Sequence, residues 1–594
     1  MRNLALLIAL LLLAISANAQ TVIPAGPIQG NWNQADSPYH ITGNINIAEG
    51  TSLTVGPGVE VIFLGAFSLN VAGSITTNGL AGSPVVFTAQ DTLNGWSSIR
   101  LSNTGTGINP PSVFNGTEFL YGRAIWGSGG QDPLNFGGAI WADNAGLLSF
   151  YDCSFNRCRS AQDGSAIYAK NNSSIKMVNC TVKDCESGFF GGVFVKEGRL
   201  ELDGCQFIMN TALTFAAGVY LFSCTTAEIN SCRFVDNFAG AVTGIYSFES
   251  PLKVKNSLFA SNATDTGLGA GIGAIYGTAT ITNCTFYDNY SSQGGAAAWF
   301  NSLASPALLT NCIFWQNQVS PLQVNSTSYE LSYCSTQSQE GDATNIYGDP
   351  GFSDPLVGDL SLSASSLCID AGSPDTAGLE LPDLDLEGMP RIVDGDNDGI
   401  ARIDIGCFEW QPPILDGSIE GLVSDGEGQA LAGALLTIGE ISVSTDATGF
   451  FSFTLPAGSY DVSCSHEGYT AESQNDVVVE PGLVTTLNFI LDAVDCDDPT
   501  SPQLTNALLG NYPNPFHPST SIAYSLAKVS PVWIGIYNLK GQLLRTLMNQ
   551  QQSRGIHWID FDGRDASGSP VAKGIYLYRI KTPGFDDTRK MVLK

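Results

Sequence analysis

Positive charge is scarce in this chain. Lys and Arg total 26 against 56 Asp and Glu, giving 594 residues a formal charge of −30. That balance argues against nucleic acid, whose phosphates require a basic face, and against adsorption to anionic lipid. It suits solubility and divalent cations. Charged residues of either sign make up only 14%, while glycine reaches 65 residues. Long periodic helices need more Leu, Glu and Lys than this. Histidine is rare as well, and the repeat-bearing region holds only His40. Long apolar runs are missing after residue 15, so no later segment reaches the roughly 18 residues a membrane span needs.

The one apolar run lies at the start. Met1-Arg2-Asn3 precedes twelve apolar residues, Leu4 to Ile15, and Ala17-Asn18-Ala19 follows. This order predicts a signal peptide over 1–19 and a mature chain beginning at Gln20, with no transmembrane segment after cleavage. An uncleaved anchor is the other reading. Gln rather than Cys after the cut argues against a lipid anchor.

What the chain does have is repetition. Between residues 113 and 334 stand DCSFNRC, NCTVKDC, GCQFIMN, SCRFVDN, NSLFASN, NCTFYDN and NCIFWQN. Their second residues are Cys153, Cys180, Cys205, Cys232, Ser257, Cys284 and Cys312, at steps of 27, 25, 27, 25, 27 and 28. Such a period means a stacked architecture. It is too short for a propeller blade, and the leucine-rich pattern is absent. Short alternating segments such as Ser174–Val178 and Arg199–Leu202 predict strands. The repeats therefore predict an all-β fold led by a right-handed parallel β-helix with three strands per coil, to which the segments after residue 411 add two small β-sandwich domains, the second of them implied by the resemblance given below. The earlier alternating segments from Asn44 to Phe87 join the β-helix, giving about 12 coils and a rod of about 55 Å, with Gly30–Trp32 and Ser37–Tyr39 as a cap. Inward Cys, Phe and Val should form columns, and Asn at a bend an amide ladder. Cys158 and Cys185 take the ladder position in adjacent coils, and stacked Cα atoms lie within disulfide range. A bridge there, or two buried thiols, both remain open.

Chemistry is thinly marked. A lyase needs a base beside the uronate carboxylate, and a hydrolase needs paired carboxylates. No basic residue recurs beside clustered carboxylates, so the sequence leans away from catalysis and supplies no catalytic residue. Asp394, Asp396 and Asp398, with Gly399, resemble the start of a Ca²⁺ loop, although Ile405 stands where a bidentate Glu is expected. The other reading is a solvated turn. Calcium is thus the one candidate cofactor. Trp126, Trp141, Trp299 and Trp315 lie in or beside coils, and Trp141 and Trp299 are candidates for stacking on glycan rings. Core packing is the competing reading. A cleft of Asp with Lys or Arg would mark an enzyme, and a strip of exposed aromatics a binding rod.

Four resemblances complete the reading. The repeats resemble the pectin-lyase-like β-helix family. Asp349–Asp354, Gly358–Leu362, Leu367–Gly372, Met389–Arg391 and Asp404–Glu409 resemble the terminal segment of choice-of-anchor β-helix proteins, which extends the first domain to 20–410. Cys368 and Cys407 sit in its two best-matched phrases and are a candidate disulfide on that resemblance. Gly417–Val423, Leu431–Ile438, Thr445–Phe450 and Glu467–Tyr469 resemble a carboxypeptidase regulatory-like module over 417–491, an accessory without catalytic residues. An acidic linker follows at 492–504. Asn511-Tyr-Pro-Asn-Pro-Phe516, Val532–Tyr537, Gly574–Arg579 and Lys590–Lys594 resemble the type A sorting domain of type IX secretion over 505–594, itself similar to the Ig-like domain of flagellar hook-capping proteins. Phe561 replaces its usual Trp. The resemblance implies a Gram-negative source, contact with the type IX machinery, and a secreted or outer-surface destination. The function expected is glycan binding or adhesion. A lyase or hydrolase with a site across the coils, and a passive stalk, are the alternatives.

Overall fold

The computed structural model describes residues 20–594 except 108, 126, 128–131, 327, 340, 413–415 and 494–503. The expected signal peptide, Trp126 and most of the 492–504 linker lie outside the described residues. The chain divides after Pro412 into two compact units.

The first unit is a parallel β-helix. Sheet 1 has fourteen strands, from Thr21–Ile23 to Ile346–Tyr347, and sheets 2 and 3 have twelve each. The expected cap is the first coil itself: Gly30–Trp32 opens sheet 3, and Trp32 stacks on Tyr39 at 4.5 Å. A fourth sheet was not expected. Its seven strands run from Arg123–Ala124 to Tyr290–Ser291, several of only two residues.

Corners explain the composition. Between sheets 3 and 1 a single left-handed residue turns these coils: Asp152, Asn179, Gly204, Ser231, Asn256, Asn283, Asn311 and Tyr333, with φ from 48° to 62°. Asn and Asp tolerate this region better than other side chains with a Cβ. The next residue points inward, and there Cys153, Cys180, Cys205, Cys232, Cys284, Cys312 and Cys334 are all buried. Sheet 1 then contributes Phe207, Phe234, Phe259, Phe286 and Phe314, whose rings stack at 4.8, 4.9, 4.8 and 5.2 Å. These distances reproduce the strand spacing, so each ring buries both faces against its own repeat.

The amide ladder occupies the corner after sheet 1. Asn210, Asn237, Asn262, Asn289 and Asn317 point into the coil. Each Nδ2 donates to the next Oδ1, at 3.0, 2.9, 3.0 and 2.9 Å.

Cys158 and Cys185 precede this ladder and are free thiols, not a disulfide. Parallel, in-register strands hold equivalent side chains about 4.8 Å apart with parallel Cβ directions, wider than the Cβ separation a disulfide needs. Each thiol instead lies 3.5–3.6 Å from a carbonyl, of Phe119 and Phe155 respectively. Cys368 and Cys407 are also buried and free. Cys368 faces Ser335 and Ser366, while Cys407 faces Thr285.

Residues 349–410 run back along the coils rather than onward from them. Phe352–Asp354 pairs with Asp359–Leu362. Phe352, Leu360, Cys368, Ile405, Cys407 and Phe408 then cover Leu258, Ala260 and Ile313 on the outside of sheet 1. The corner asparagines hold this strap. Asn283 Nδ2 donates to the Asp404 and Gly406 carbonyls at 3.1 and 3.0 Å, and Asn311 Oδ1 accepts from Ser373 N at 2.8 Å.

The second unit contains two β-sandwiches. Gly417–Leu491 forms two sheets around Ile419, Phe451, Phe453, Val462 and Phe489. Gly449, at φ 77°, closes the turn after Asp446. Residues 507–593 form a three-stranded and a four-stranded sheet. The Asn511–Phe516 phrase starts within the first strand of this sandwich and continues past its end. It links Ala507–Tyr512 to Thr520–Leu526. Phe516 plugs the core at 1% exposure, and its N–H and C=O pair with Val592 and Lys594.

Candidate functional site

The outer face of the β-helix offers four features on which the sequence bears. The first is the outward row of sheet 2. Trp141, Tyr168, Phe194, Tyr220 and Tyr246 are in register on successive strands. This is the aromatic strip anticipated for stacking, but it is covered. Phe136, Phe190, Phe215 and Val242, from the segments leading into sheet 2, fold over it. Trp141 is only 8% exposed, with the Arg100 guanidinium 4.4 Å from its ring centre. It is a packing residue and not an open stacking platform. Trp299 continues the row beyond Gly273 and is half-buried. Asp163 borders the covered row, and burial pushes its carboxyl up to about 7.

The second feature is the acidic loop. The structure does not gather Asp394, Asp396 and Asp398. Asp398 turns to Arg402, 2.9 Å away, and that ion pair holds its carboxyl below the usual range. Its place is taken by the buried Asp370, whose carboxylate lies within 4.8 Å of Asp394 and Asp396. Asp370 Oδ2 accepts from Gly395 N and Asp396 N at 2.8 Å each, and Asp394 accepts from Asp398 N and Gly399 N at 3.0 Å each. Three carboxylates facing one point form a hard oxygen donor set suited to calcium.

The third feature is a cleft of about 380 Å³ on sheet 3, lined by Asp203, Glu228, Asn230, Lys253, Lys255 and Glu380. Sheet register places Glu228 beside Lys253 and Asn230 beside Lys255. Glu380, from the strap, closes over both lysines at 3.7 and 3.1 Å. Burial pushes the Asp203 carboxyl up, with Cys205 and Glu201 adding. The mixture of carboxylates and lysines is what a hydrolytic site would start from. Here, however, the cations are already tied to Glu380.

The fourth feature escaped the sequence reading. Sheet 4 carries its own outward row, Thr211, Phe238, Ala263 and Tyr290, in register. Phe238 and Tyr290 are 46% and 42% exposed. Phe189, Leu213 and Val319 extend the exposed apolar surface around them. Asp236 and Asp288 stand two residues before the two aromatics, each at a left-handed corner. The phrases Asp236-Asn237-Phe238 and Asp288-Asn289-Tyr290 share one pattern. The buried ladder asparagine sits between an outward carboxylate and an outward ring. That repetition was the available signal.

Comparison with known proteins agrees with the architecture. Residues 134–280 match the right handed beta helix region, 418–492 the carboxypeptidase regulatory-like domain, and 518–583 the FlgD Ig-like domain. No curated protein matches the chain. Among solved structures, the Bacillus anthracis TIE protein aligns at 16% identity and TM-score 0.13, covering 32% of each chain. A putative carbohydrate binding protein from Bacteroides uniformis aligns at 14% and 0.12, covering 30% of this chain and 99% of that one. Dimeric latent PorU from Porphyromonas gingivalis aligns at 18% and 0.14, covering 28% and 16%. This chain thus spans less than two-thirds of the first and third of these proteins. Its first unit contains a right-handed parallel β-helix, and its second a regulatory-like sandwich followed by an Ig-like one.

Proposed function

We propose that the β-helix is a surface-exposed glycan-binding or adhesive rod. The observation that carries this reading is the apolar and aromatic surface on sheet 4, which crosses several coils and has no covering segment among the described residues. Scattered apolar residues are normal on a protein surface, whereas a contiguous run of them marks binding. The resemblance of 505–594 to a type A sorting domain supports export by the type IX route. No helix among the described residues is long and apolar enough to cross a membrane.

The test is a panel of neutral and acidic polysaccharides offered to the full mature chain. Retention on at least one, without release of reducing ends or of unsaturated products from polyuronates, is the expected result. The second reading, a hydrolase or lyase, is favoured by the sheet 3 cleft. Product release that disappears in Asp203→Asn would establish it in place of the first.

Calcium belongs to the same reading. The Asp370, Asp394 and Asp396 trio is its site, and the strap carrying it is the part stabilised. Saturating Ca²⁺ at 100 times its Kd contributes about 2.7 kcal/mol and raises the melting temperature. Asp396→Asn, which keeps the acceptor for Asp398 N, should abolish that rise. An equal rise in the variant and the wild type would remove the loop as the site.

A further inference from the structure

The geometry points to a specific ligand site on sheet 4, resting on the glycan-binding reading above: Phe238 and Tyr290, with Asp236 and Asp288, form a platform for a neutral, extended glycan lying parallel to the rod axis. Phe238 and Tyr290 occupy the same column two coils apart, with Ala263 between them. At strand spacing this separates the rings by roughly 9.6 Å. Ser261 and Ala263, the equivalent outward residues of the intervening coil, are both small. They leave a shallow gap between two raised rings. An extended pyranose chain advances by a similar length per sugar as the rod does per coil. Alternate sugars can therefore sit on Phe238 and Tyr290 while the sugar between them bridges Ala263.

The chemistry matches a sugar at each level. The axial C–H groups of a pyranose lie against the negative face of an aromatic ring. Its hydroxyls need acceptors beside that ring, and Asp236 and Asp288 stand two residues before each platform with outward side chains. Gln318 Nε2 lies 3.4 Å from Asp288 Oδ1 and adds an amide at the Tyr290 end. The two carboxylates, on a chain of −30, repel uronates and other anionic chains. The platform is rigid because Asn237 and Asn289, the residues between carboxylate and ring, are locked in the buried ladder.

The experiment is calorimetric titration of the full mature chain with cellohexaose, laminarihexaose and hexagalacturonate. At least one neutral hexamer should bind, and the acidic one should not. Phe238→Ala and Tyr290→Ala should each weaken that binding about 3- to 10-fold, and together abolish it. Thermal unfolding should be unchanged, since both rings are exposed. Undiminished binding in the double variant would overturn this site while leaving the glycan-binding reading intact. Preference for hexagalacturonate would overturn the neutral-ligand assignment. A wild-type chain that binds none of the three hexamers, yet is retained by another polysaccharide, would overturn the site alone. Retention by no glycan at all would remove both readings. Wild-type dimers in sedimentation that become monomers in the double variant would assign the row to a second copy of the chain and overturn the proposal.

Discussion

Replacing Arg391 with Ala should detach the strap from the β-helix. Its guanidinium is 3% exposed, lies 2.7 Å from Glu409, whose side chain is 1% exposed, and reaches back to Asn256 Oδ1 on the coils. Around this one cation the fold buries several acids. Asp404 accepts from Asp370 N and Trp410 N at 2.7 and 2.6 Å, Glu409 accepts from Asp404 N at 3.0 Å, and Asp385 accepts from Glu409 N at 2.9 Å. Burial pushes Asp404 up to about 7, and it pushes Glu409 up as well, with Asp404 adding and Arg391 opposing. Removing the guanidinium leaves uncompensated buried charge, which costs about 3–5 kcal/mol. Both carboxyls are raised above their unfolded values, so the folded state holds extra protons. Their contribution to stability is complete below about pH 4 and is lost as pH rises through about 7 for Asp404. Arg391 also opposes the rise at Asp404, so Arg391→Ala lifts that carboxyl further and the defect should be larger at pH 8 than at pH 5. Limited proteolysis between 349 and 410, run at both pH values, reads this directly. Arg391→Met combined with Glu409→Leu should restore most of the resistance. A single variant as resistant as wild type at pH 8 would show that the ion pair does not hold the strap.

The β-helix was legible because stacking forces repetition. An inward Cys or Asn in one coil has the equivalent residue of the next coil as its neighbour, so the period is written into the chain. Sheet 4 was not legible, since strands as short as Arg159–Ser160 are too brief to show alternation. The covering of Trp141 was hidden for a different reason. Its outward position on sheet 2 is a local property, but whether Phe136 and Phe190 fold over that face depends on tertiary placement. The acid cluster failed in the same way. Asp394, Asp396 and Asp398 are close in sequence, while Asp370 enters from 24 residues earlier, as the numbering shows, and Arg402 draws Asp398 away. The platform at Phe238 and Tyr290 came nearest to being seen. The repeat phrases SCRFVDN and NCTFYDN each end one residue short of the ring. Only the fold shows that this next residue points outward.

The amide ladder carries the second large expectation. Asn262 is fully buried and makes four hydrogen bonds of its side chain. Its Oδ1 accepts from Asn237 N and Nδ2, at 3.2 and 2.9 Å, and its Nδ2 donates to Phe234 O and Asn289 Oδ1, at 2.8 and 3.0 Å. Asn262→Ala removes all four in a dry corner: Asn237 N is left without its acceptor, while Asn237 Nδ2 keeps Phe207 O and Asn289 Oδ1 keeps Asn262 N. The orphaned donor costs about 1–3 kcal/mol and the three other lost bonds about 0.5–1.5 kcal/mol each, and relaxation brings the sum to about 3–5 kcal/mol. Asn262→Asp should cost at least as much. It keeps the two acceptors for Asn237 but sets a carboxylate against Phe234 O and Asn289 Oδ1, with no donor to offer either. A half-buried neighbour supplies the control: Ser261→Ala, one residue earlier at the corner, removes no hydrogen bond of the ladder and should stay within about 0.5 kcal/mol. Urea unfolding of the three variants measures these differences. Because each coil rests on the next, the midpoint should fall without a new early transition if the ladder is continuous and cooperative. A change below about 1 kcal/mol in Asn262→Ala would mean that water replaces the amide, and that the ladder sets register without contributing to stability.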